Sequence, residues 1–434
     1  MNQSKLSTQP YKGTRDFYPE DMRVQKWMFD RMRAVVQTYG YQEYDGPMLE
    51  PFELYAAKTG EEIVNQQLYW LMDRGDRKLA IRPEMTPTLA RMVAGRIQEL
   101  PKPVRWFSIP NLWRYERPQK GRLREHWQLN VDVLGGDPIQ ADAEILVVAF
   151  SIIKAFGGQN FVSIKVNNRR LMDHFFTNSL GLSAETALKV TKAIDARAKI
   201  GEEAYNQWLA ELGVNEDAKA RMEAFFHAPF EVTAREMPCQ GVDELRALFD
   251  FLKESGAAER VVFDPTVLRG LDYYTGTVFE MYDESPENRR AMFGGGRYDN
   301  LVALFGKDKL PGVGFGMGDV TLRNFLEIHR LMPELKPFVD VFVTLPRAEL
   351  RKNAEEISNQ LREKGLCVIT PLEVGGFGAQ LKQASKHKAA FAVLLGDAEL
   401  KDGKVVVKDM AKGEQVTVEL GKVAEYVKSK IAAV

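Results

Sequence analysis

A cluster of basic side chains lies between two strand-like segments, within residues 113–135. Its members are Arg114, Arg117, Lys120, Arg122 and Arg124. Like charges at this spacing repel one another, so the cluster is unfavourable in a compact turn unless an anion binds there. Because a guanidinium can make two parallel hydrogen bonds to a phosphate, we predict that this hook, residues 114–124, contacts one. A solvated hairpin turn is the simpler alternative for the charges taken alone.

The strand predicted directly after the hook has one polar face. In WQLNVDVL, residues 127–134, apolar and polar side chains alternate, as they do in a half-buried strand. The polar face carries Gln128, Asn130 and Asp132. Antiparallel pairing with the preceding strand would bring Arg114 and Glu116 onto the same sheet surface. Because polar side chains cover this surface, we expect a polar ligand or polar side chains to pack against it.

LRGLDYYTGTVFE, residues 268–280, places Arg269, Tyr273 and Tyr274 just before another strand. A tyrosine-rich strand start packed in the core is the alternative to a binding role. Two glycine-rich segments follow, GGGRYDNL and PGVGFGMGD. Glycines at such positions allow a ligand to approach the backbone closely. PGVGFGMGD lacks the strand, the spacing and the acidic partner of a dinucleotide-binding fingerprint, which argues against that interpretation.

Composition excludes several classes of protein. The 434 residues are 45% hydrophobic with a formal net charge of −1, which is typical of a globular enzyme or binding protein rather than a general nucleic-acid binder. The two cysteines form no CxxC pair, and the five histidines form no HxxxH pair, so we predict no metal site held by protein ligands. The N-terminal segment lacks the pattern of a secretory signal, and no long apolar run is present, which favours the cytoplasm and no membrane partner.

Periodicity predicts alternating elements along the chain. Apolar residues at three- and four-residue spacing predict a helix from Pro19 to Tyr39 with Gly40 as its C-cap. Strands are predicted at 78–82, 104–109, 127–134, 261–264 and 273–282, and a helix near 139–156. The segment between about 170 and 256 is helical in pattern. After a proline-bearing linker, alternating strands and helices predict a small α/β domain with a mixed sheet.

Together these segments resemble the histidyl-tRNA synthetases, a family of class II (class IIa) aminoacyl-tRNA synthetases. YDGPMLEPFELYAAKTGE is similar to motif 1 of the class, FSIPNLWRYERPQKGRLREHWQLNVDVLG to motif 2 and PGVGFGMGD to motif 3. LRGLDYYTG and GGGRYDNL resemble two signatures of the histidine enzymes. The C-terminal segment is similar to the class IIa anticodon-binding domain, so the resemblance spans nearly the whole chain.

The resemblance implies an α+β catalytic domain with a mostly antiparallel sheet flanked by helices, a helical insertion and a C-terminal α/β anticodon-binding domain. The corresponding segments are 1–169 (catalytic, motifs 1 and 2), 170–257 (insertion), 258–330 (catalytic, histidine signatures and motif 3) and 338–434 (anticodon-binding). It also implies a homodimer through motif 1. ATP is the expected substrate, and Mg²⁺ accompanies it rather than occupying a dedicated protein site.

By the same resemblance, Arg114 would hold the ATP α-phosphate, Arg269 would approach it from the opposite side, and Glu116 would lie near the adenine. The histidine-binding residues would be Glu84 and Thr86 at the α-amino group, with Gln128, Asp132, Tyr273 and Tyr274 around the substrate. The tRNA acceptor end would meet Arg117, Gln119, Lys120, Arg122 and Arg124.

The implied activity is that of a histidine–tRNA ligase, which makes histidyl-adenylate and transfers histidine to the 3′ end of its tRNA. The alternative is a catalytically silent paralogue, such as a histidine-sensing regulatory subunit of ATP phosphoribosyltransferase or a tRNA-sensing domain. Retention of Arg269 and of the C-terminal segment favours the enzyme. One departure concerns motif 3: Thr321 lies where many class II enzymes carry an arginine, and Arg323 is rotated by about 200° on the predicted helix.

Overall fold

The computed structural model of the chain describes residues 6–56, 63–119, 121–269, 273–288, 290–306 and 308–432. The chain forms two compact units, Met1–Pro333 and Glu334–Val434. The strands of the first unit are β1 (Gln42–Glu43), β2 (Leu49–Pro51), β3 (Trp70–Met72), β4 (Lys78–Ile81), β5 (Val104–Ser108), β6 (Asn111–Trp113), β7 (Glu125–Leu134), β8 (Val162–Asn168), β9 (Val261–Phe263), β10 (Thr277–Asp283), β11 (Ala291–Tyr298) and β12 (Gly312–Gly318). Its α-helices are α1 (Pro19–Thr38), α2 (Phe52–Ala56), α3 (Thr86–Gly95), α4 (Pro138–Ala155), α5 (Arg169–His174), α6 (Ala184–Ile200), α7 (Glu202–Glu211), α8 (Glu216–Phe226), α9 (Phe230–Glu236), α10 (Gln240–Leu252) and α11 (Asp319–Ile328).

Nine of the described strands form the central sheet of the first unit, in the order β1-β5-β7-β12-β11-β10-β8-β9, with β6 paired to the start of β7. Neighbours from β5 to β8 are antiparallel, whereas the outer pairs β1–β5 and β8–β9 are parallel. The predicted mostly antiparallel sheet flanked by helices is therefore confirmed. A separate three-stranded sheet has the order β2-β4-β3.

Alternation along β7 separates the core from the polar face of the sheet. Leu129, Val131 and Val133 are buried in the main core, which also contains the apolar faces of α1 and α4. Full burial of such a side chain contributes about 1.5–3 kcal/mol, so the apolar face fixes the strand register. Because successive side chains point to opposite faces, Gln128 and Asp132 lie on the other side of the sheet.

Helix α1 forms almost where periodicity predicts it. It begins with a proline at its first position and ends at Thr38, and Gly40 follows with φ of +80°. The Gly40 N–H donates to the Gln37 carbonyl at 3.0 Å, which satisfies a carbonyl of the last turn. By contrast, the strand predicted over 273–282 begins only at Thr277, because residues 273–276 form a loop whose Thr275 N–H bonds to the Arg297 carbonyl at 2.8 Å.

The chain between β8 and β9 is helical and contains α5 to α10. The Asn215 side chain caps α8 by accepting the Ala218 N–H at 2.8 Å. Phe175 stacks on Phe225 with ring centroids 4.2 Å apart, and Leu245 and Leu248 of α10 are buried in the same core as the central sheet. The boundaries of the predicted insertion stay a prediction.

The second unit is a mixed sheet covered by helices. Its strands are β13 (Val341–Val343), β14 (Val368–Ile369), β15 (Phe391–Leu394), β16 (Lys404–Asp409) and β17 (Gln415–Glu419), in the order β14-β13-β15-β16-β17. Its α-helices are α12 (Arg351–Glu363), α13 (Phe377–Lys386), α14 (Asp397–Lys401) and α15 (Val423–Ala432). Strands β13, β14 and β15 are parallel and the remaining pairs antiparallel, as the alternating pattern predicts. Over the described residues of both units, no helix has the length and apolar composition needed to cross a membrane.

Candidate active site

A cavity of about 2070 Å³ lies over the polar face of the central sheet. Most of the predicted site residues line it: Glu84, Thr86, Arg114, Glu116, Gln119, Arg122, Gln128, Asp132, Arg269, Tyr273 and Tyr274. Arg117 and Arg124 are described by the structure but do not line this cavity. Lys120 lies outside the described residues. Strand order brings segments far apart in sequence to one surface.

Arg114 follows directly after β6 and is held by the backbone around it. Its N–H donates to the Arg124 carbonyl at 2.8 Å, and its side-chain Nε donates to the Pro83 carbonyl at 2.9 Å. Among the described residues, no carboxylate pairs with its guanidinium. The backbone contacts therefore orient the cation at the cavity surface without neutralising it.

Arg269, which precedes β10 in the chain, also lines the cavity. Its backbone has φ of +55°, an uncommon conformation for a residue with a side chain. Its Nη1 donates to Glu280 of β10 at 3.0 Å, and its buried Nε has no hydrogen-bond partner within the described chain. Burial opposes the charge of this guanidinium, but Tyr274 and Glu280 beside it outweigh burial and raise its pKa. The Arg269 guanidinium is thus a cation fixed by Glu280, and its Nε–H has no hydrogen-bond partner within the described chain.

Two buried carboxylates at the cavity floor each accept a tyrosine hydroxyl. The Tyr273 hydroxyl donates to Glu84 at 2.9 Å, and the Tyr298 hydroxyl donates to Asp132 at 2.6 Å. Asp132 is only 3% exposed, and this burial raises its pKa to about 7, although the bond from Tyr298 opposes the shift. This end of the cavity can therefore exchange hydrogen bonds, and a proton, with a polar ligand.

The glycines of GGGRYDNL and PGVGFGMGD lie in central strands of the sheet, where they make room for the site. Strands β11 and β12 pair Gly294 with Gly316 and Gly296 with Gly314. A Cβ atom at Gly296 would lie 2.8 Å from the Tyr274 ring, and one at Gly316 would lie 2.7 Å from the Gln128 side chain. Because these glycines have no side chain, the Tyr274 and Gln128 side chains can pack directly against the strand backbone.

The hook brings only some of its predicted residues to the cavity. Gln119 and Arg122 exchange backbone hydrogen bonds of 3.0 and 2.9 Å and line the cavity, where Arg122 pairs with Glu116 at 2.8 Å. Arg117 is exposed. The Arg124 guanidinium instead lies 4.0 Å from the centre of the Tyr115 ring and 5.1 Å from that of Tyr11. Arg124 therefore holds the base of the hook against the N-terminal segment.

The start of α11 offers no arginine to the cavity. Thr321 and Asn324 line it, whereas Arg323 points elsewhere and pairs with Asp21 at 3.2 Å and Glu327 at 2.9 Å. This agrees with the rotation predicted for Arg323. A different cation, Arg290, lines the cavity and donates to the Gln119 side chain at 3.4 Å.

Sequence reasoning missed several residues of the site. Tyr298 and Glu280 lie within quoted motifs, but only the fold shows that they hold Asp132 and Arg269. His126 lines the cavity, and burial together with nearby Arg114, Arg15 and Arg122 lowers its pKa to about 3, so it is neutral near pH 7. One face of α6 also lines the cavity, including Leu188 and Thr191. An amphipathic pattern alone does not distinguish such a face from an ordinary core face.

The family models and the curated relatives of this chain point to one family. Residues 13–320 match the family model described as histidyl-tRNA synthetase, and residues 340–430 match the one described as anticodon binding domain. The histidine–tRNA ligase of Leptospira biflexa serovar Patoc is 44% identical and covers 100% of both chains. That of Haloarcula marismortui is 38% identical over 94% of this chain and 95% of its own. The crystal structure of histidyl-tRNA synthetase from Nostoc sp. PCC 7120 is similar with a TM-score of 0.82 and 28% identity, covering 98% of this chain and 100% of that one.

Proposed function

Since this chain belongs to the histidyl-tRNA synthetase family, we propose that the cavity of the first unit binds histidine and ATP side by side. The chain is a histidine–tRNA ligase: it activates L-histidine with ATP to histidyl-adenylate and transfers histidine to the 3′ end of its tRNA, releasing AMP and diphosphate. The observation that carries the site assignment is that Arg114 and Arg269, from distant parts of the chain, line one cavity.

The proposed first step needs no protein nucleophile. The histidine carboxylate oxygen attacks the α-phosphorus in line, a new oxygen–phosphorus bond forms, and the bond to the departing diphosphate breaks. Negative charge on the phosphoryl oxygens is then stabilised by Arg114 on one side and Arg269 on the other. The pairing of Arg269 with Glu280 supports this role, because it fixes the guanidinium before the substrate binds. In the second step a ribose hydroxyl of the tRNA end attacks the acyl carbon and AMP leaves.

Histidine is proposed to bind over the two tyrosine–carboxylate pairs. Glu84 and Thr86 would accept the α-amino group, while Asp132 and Tyr274 face the imidazole and Gln128 and Tyr273 complete the pocket. A buried carboxylate can accept a hydrogen bond from one imidazole nitrogen. Ligands without such donors leave these groups unpaired, so discrimination of about 10⁴-fold is attainable without editing.

The hook is proposed to contact the acceptor end of the tRNA through Gln119, Arg122, Arg117 and Lys120. Of these, Gln119 and Arg122 are best supported, because they line the cavity that would hold the adenylate. The stacking of Arg124 on Tyr115 favours a supporting role for Arg124 instead of the direct contact predicted from sequence. The second unit would bind the anticodon.

A homodimer through motif 1 is proposed from the exposed apolar side chains around the small sheet β2-β4-β3. Those of the described residues are Met48, Leu49, Trp70, Leu71 and Met72, with exposures of 46%, 42%, 56%, 38% and 52%. Exposed apolar residues grouped in this way favour burial against a second copy. Mg²⁺ is proposed to arrive as part of the ATP substrate, and the cytoplasm is the proposed location.

Histidine-dependent exchange of labelled diphosphate into ATP tests the proposed chemistry. The wild-type protein should catalyse exchange, and leucine in place of histidine should give none. The alternative, a regulatory subunit that senses histidine, predicts histidine binding by calorimetry without exchange. Binding without exchange in the purified, folded protein would therefore reject the ligase mechanism.

A further inference from the structure

A carboxylate outside the cavity, Asp299, holds the loop that carries Tyr273 and Tyr274. We call residues 273–276 the tyrosine loop. The Thr275 hydroxyl donates to the Asp299 carboxylate at 2.8 Å, and the Asp299 backbone N–H donates to the same hydroxyl at 3.0 Å. The Thr275 N–H also donates to the Arg297 carbonyl at 2.8 Å. One residue after Tyr274, the loop is therefore attached to the end of β11 by three hydrogen bonds.

The opposite side of the tyrosine loop is attached to α5. The Arg169 N–H donates to the Gly276 carbonyl at 2.8 Å. The Arg170 guanidinium lies so close that a Cβ atom at Gly276 would be 2.8 Å from its Nη1. This arginine also reaches Asp299, with Nη2 donating to the carboxylate at 2.8 Å. The same carboxylate thus binds the loop hydroxyl and a cation that packs beneath the loop.

Both cations that contact Asp299 have a second acidic partner. Arg170 pairs with Glu244 of α10 at 2.8 Å, and Arg297, which contacts Asp299 at 3.3 Å, pairs with Asp142 of α4 at 2.6 Å. The Arg297 side chain is only 5% exposed. A network of this kind has one well-defined geometry, because breaking one contact leaves a charge without its partner in a poorly solvated place.

We propose that Asp299 is a positioning residue for histidine binding, which fixes Thr275 and thereby sets the Tyr273 and Tyr274 side chains over the cavity floor. The inference rests on the proposed role of these tyrosines in the histidine site. Asp299 itself lies outside the lining of the cavity. Its loss should therefore weaken histidine binding through the tyrosines and leave the ATP subsite intact.

The test is diphosphate exchange with the full-length protein, titrated separately with histidine and with ATP. Asp299→Asn removes the charge and one of the two acceptor oxygens that bind Thr275, Arg170 and Arg297, and Thr275→Val removes the hydroxyl. For both variants we expect the histidine KM to rise about tenfold or more, the effect of losing a hydrogen bond to a charged group, with the ATP KM within about threefold. Thr275→Ser keeps the hydroxyl and should retain the wild-type histidine KM. Comparison of Thr275→Val with Thr275→Ser tests the proposal even if Asp299→Asn does not fold.

Asp264→Asn is the matched control. Asp264 also holds a threonine hydroxyl, that of Thr266, and a cation, Lys165 at 2.8 Å, but it does not contact the tyrosine loop. An unchanged histidine KM in Thr275→Val, or an equal rise in Asp264→Asn, would overturn the proposal. Absence of exchange in the wild-type protein would instead reject the ligase mechanism, so the two failures are distinguishable.

Discussion

Replacement of Asp132 by asparagine changes the charge of the cavity floor with little change in shape. Asparagine can still accept the hydrogen bond that Tyr298 donates to Asp132 at 2.6 Å, but it cannot ionise. A hydrogen bond to a charged group contributes about 1.5–3 kcal/mol, so Asp132→Asn should weaken histidine binding about 10- to 150-fold. ATP affinity should change by less than about twofold, because Arg114 and Arg269 remain.

The same substitution has a pH-dependent effect on stability. Burial raises the pKa of Asp132 from 3.8 to about 7, so between these values the folded protein keeps a proton that the unfolded chain releases. The contribution of this group to the free energy of unfolding therefore falls as pH rises from about 4 to about 7, and is constant above. At about 1.4 kcal/mol per pH unit over this range, the free energy of unfolding changes by roughly 4 kcal/mol in total. The stability of Asp132→Asn relative to wild type should increase by about this amount between pH 4 and pH 8.

Calorimetry tests both effects, with histidine titrations at pH 8 and thermal unfolding at several pH values. Asp264→Asn provides a control of opposite sign. Burial tends to raise the pKa of Asp264, but Lys165 and Thr266 outweigh it and hold that pKa below the usual value. Asp264 therefore stabilises the fold above about pH 4, and this contribution is lost on acidification. A pH-independent stability difference for Asp132→Asn, or a loss of ATP affinity with histidine affinity retained, would refute the reasoning.

Four further substitutions test the rest of the site. Arg269→Gln should lower the rate of diphosphate exchange about 10²–10³-fold while histidine binding changes little, and Arg260→Gln outside the cavity should have no effect. If the cavity cation Arg290 contacts the ATP phosphates, Arg290→Ala should raise the ATP KM in exchange several-fold, and an unchanged KM would contradict that contact. Arg124→Ala should slow tRNA charging about tenfold more than exchange if it supports the hook, and equal effects on both would contradict that role. Trp70→Glu should give monomers in analytical ultracentrifugation, and an unchanged sedimentation coefficient would exclude this surface from the dimer.

Local sequence patterns were sufficient to predict several helices and strands, but they did not predict which side chains form hydrogen bonds with one another. The periodicity that predicts α1 and the alternation that predicts β7 depend on residues a few positions apart, and both elements form there. The glycine-rich strands β11 and β12 were not predicted, because glycine does not contribute to an alternating pattern of apolar and polar side chains. Their glycines are needed only because the Tyr274 and Gln128 side chains pack against them in the folded protein. The start of β10 was misplaced because nothing local indicates that Thr275 bonds to Asp299.

By itself, the sequence determined the class of fold, the family and most of the residue types at the cavity, since these follow from periodicity and from short motifs that are local along the chain. Only the tertiary structure decided which residues meet. It placed Arg114 and Arg269 at one cavity, paired Asp132 with Tyr298, and directed Arg124 toward Tyr115. The physical reason is that such contacts depend on the order and register of strands, and these are fixed by burial of the opposite, apolar face of the sheet.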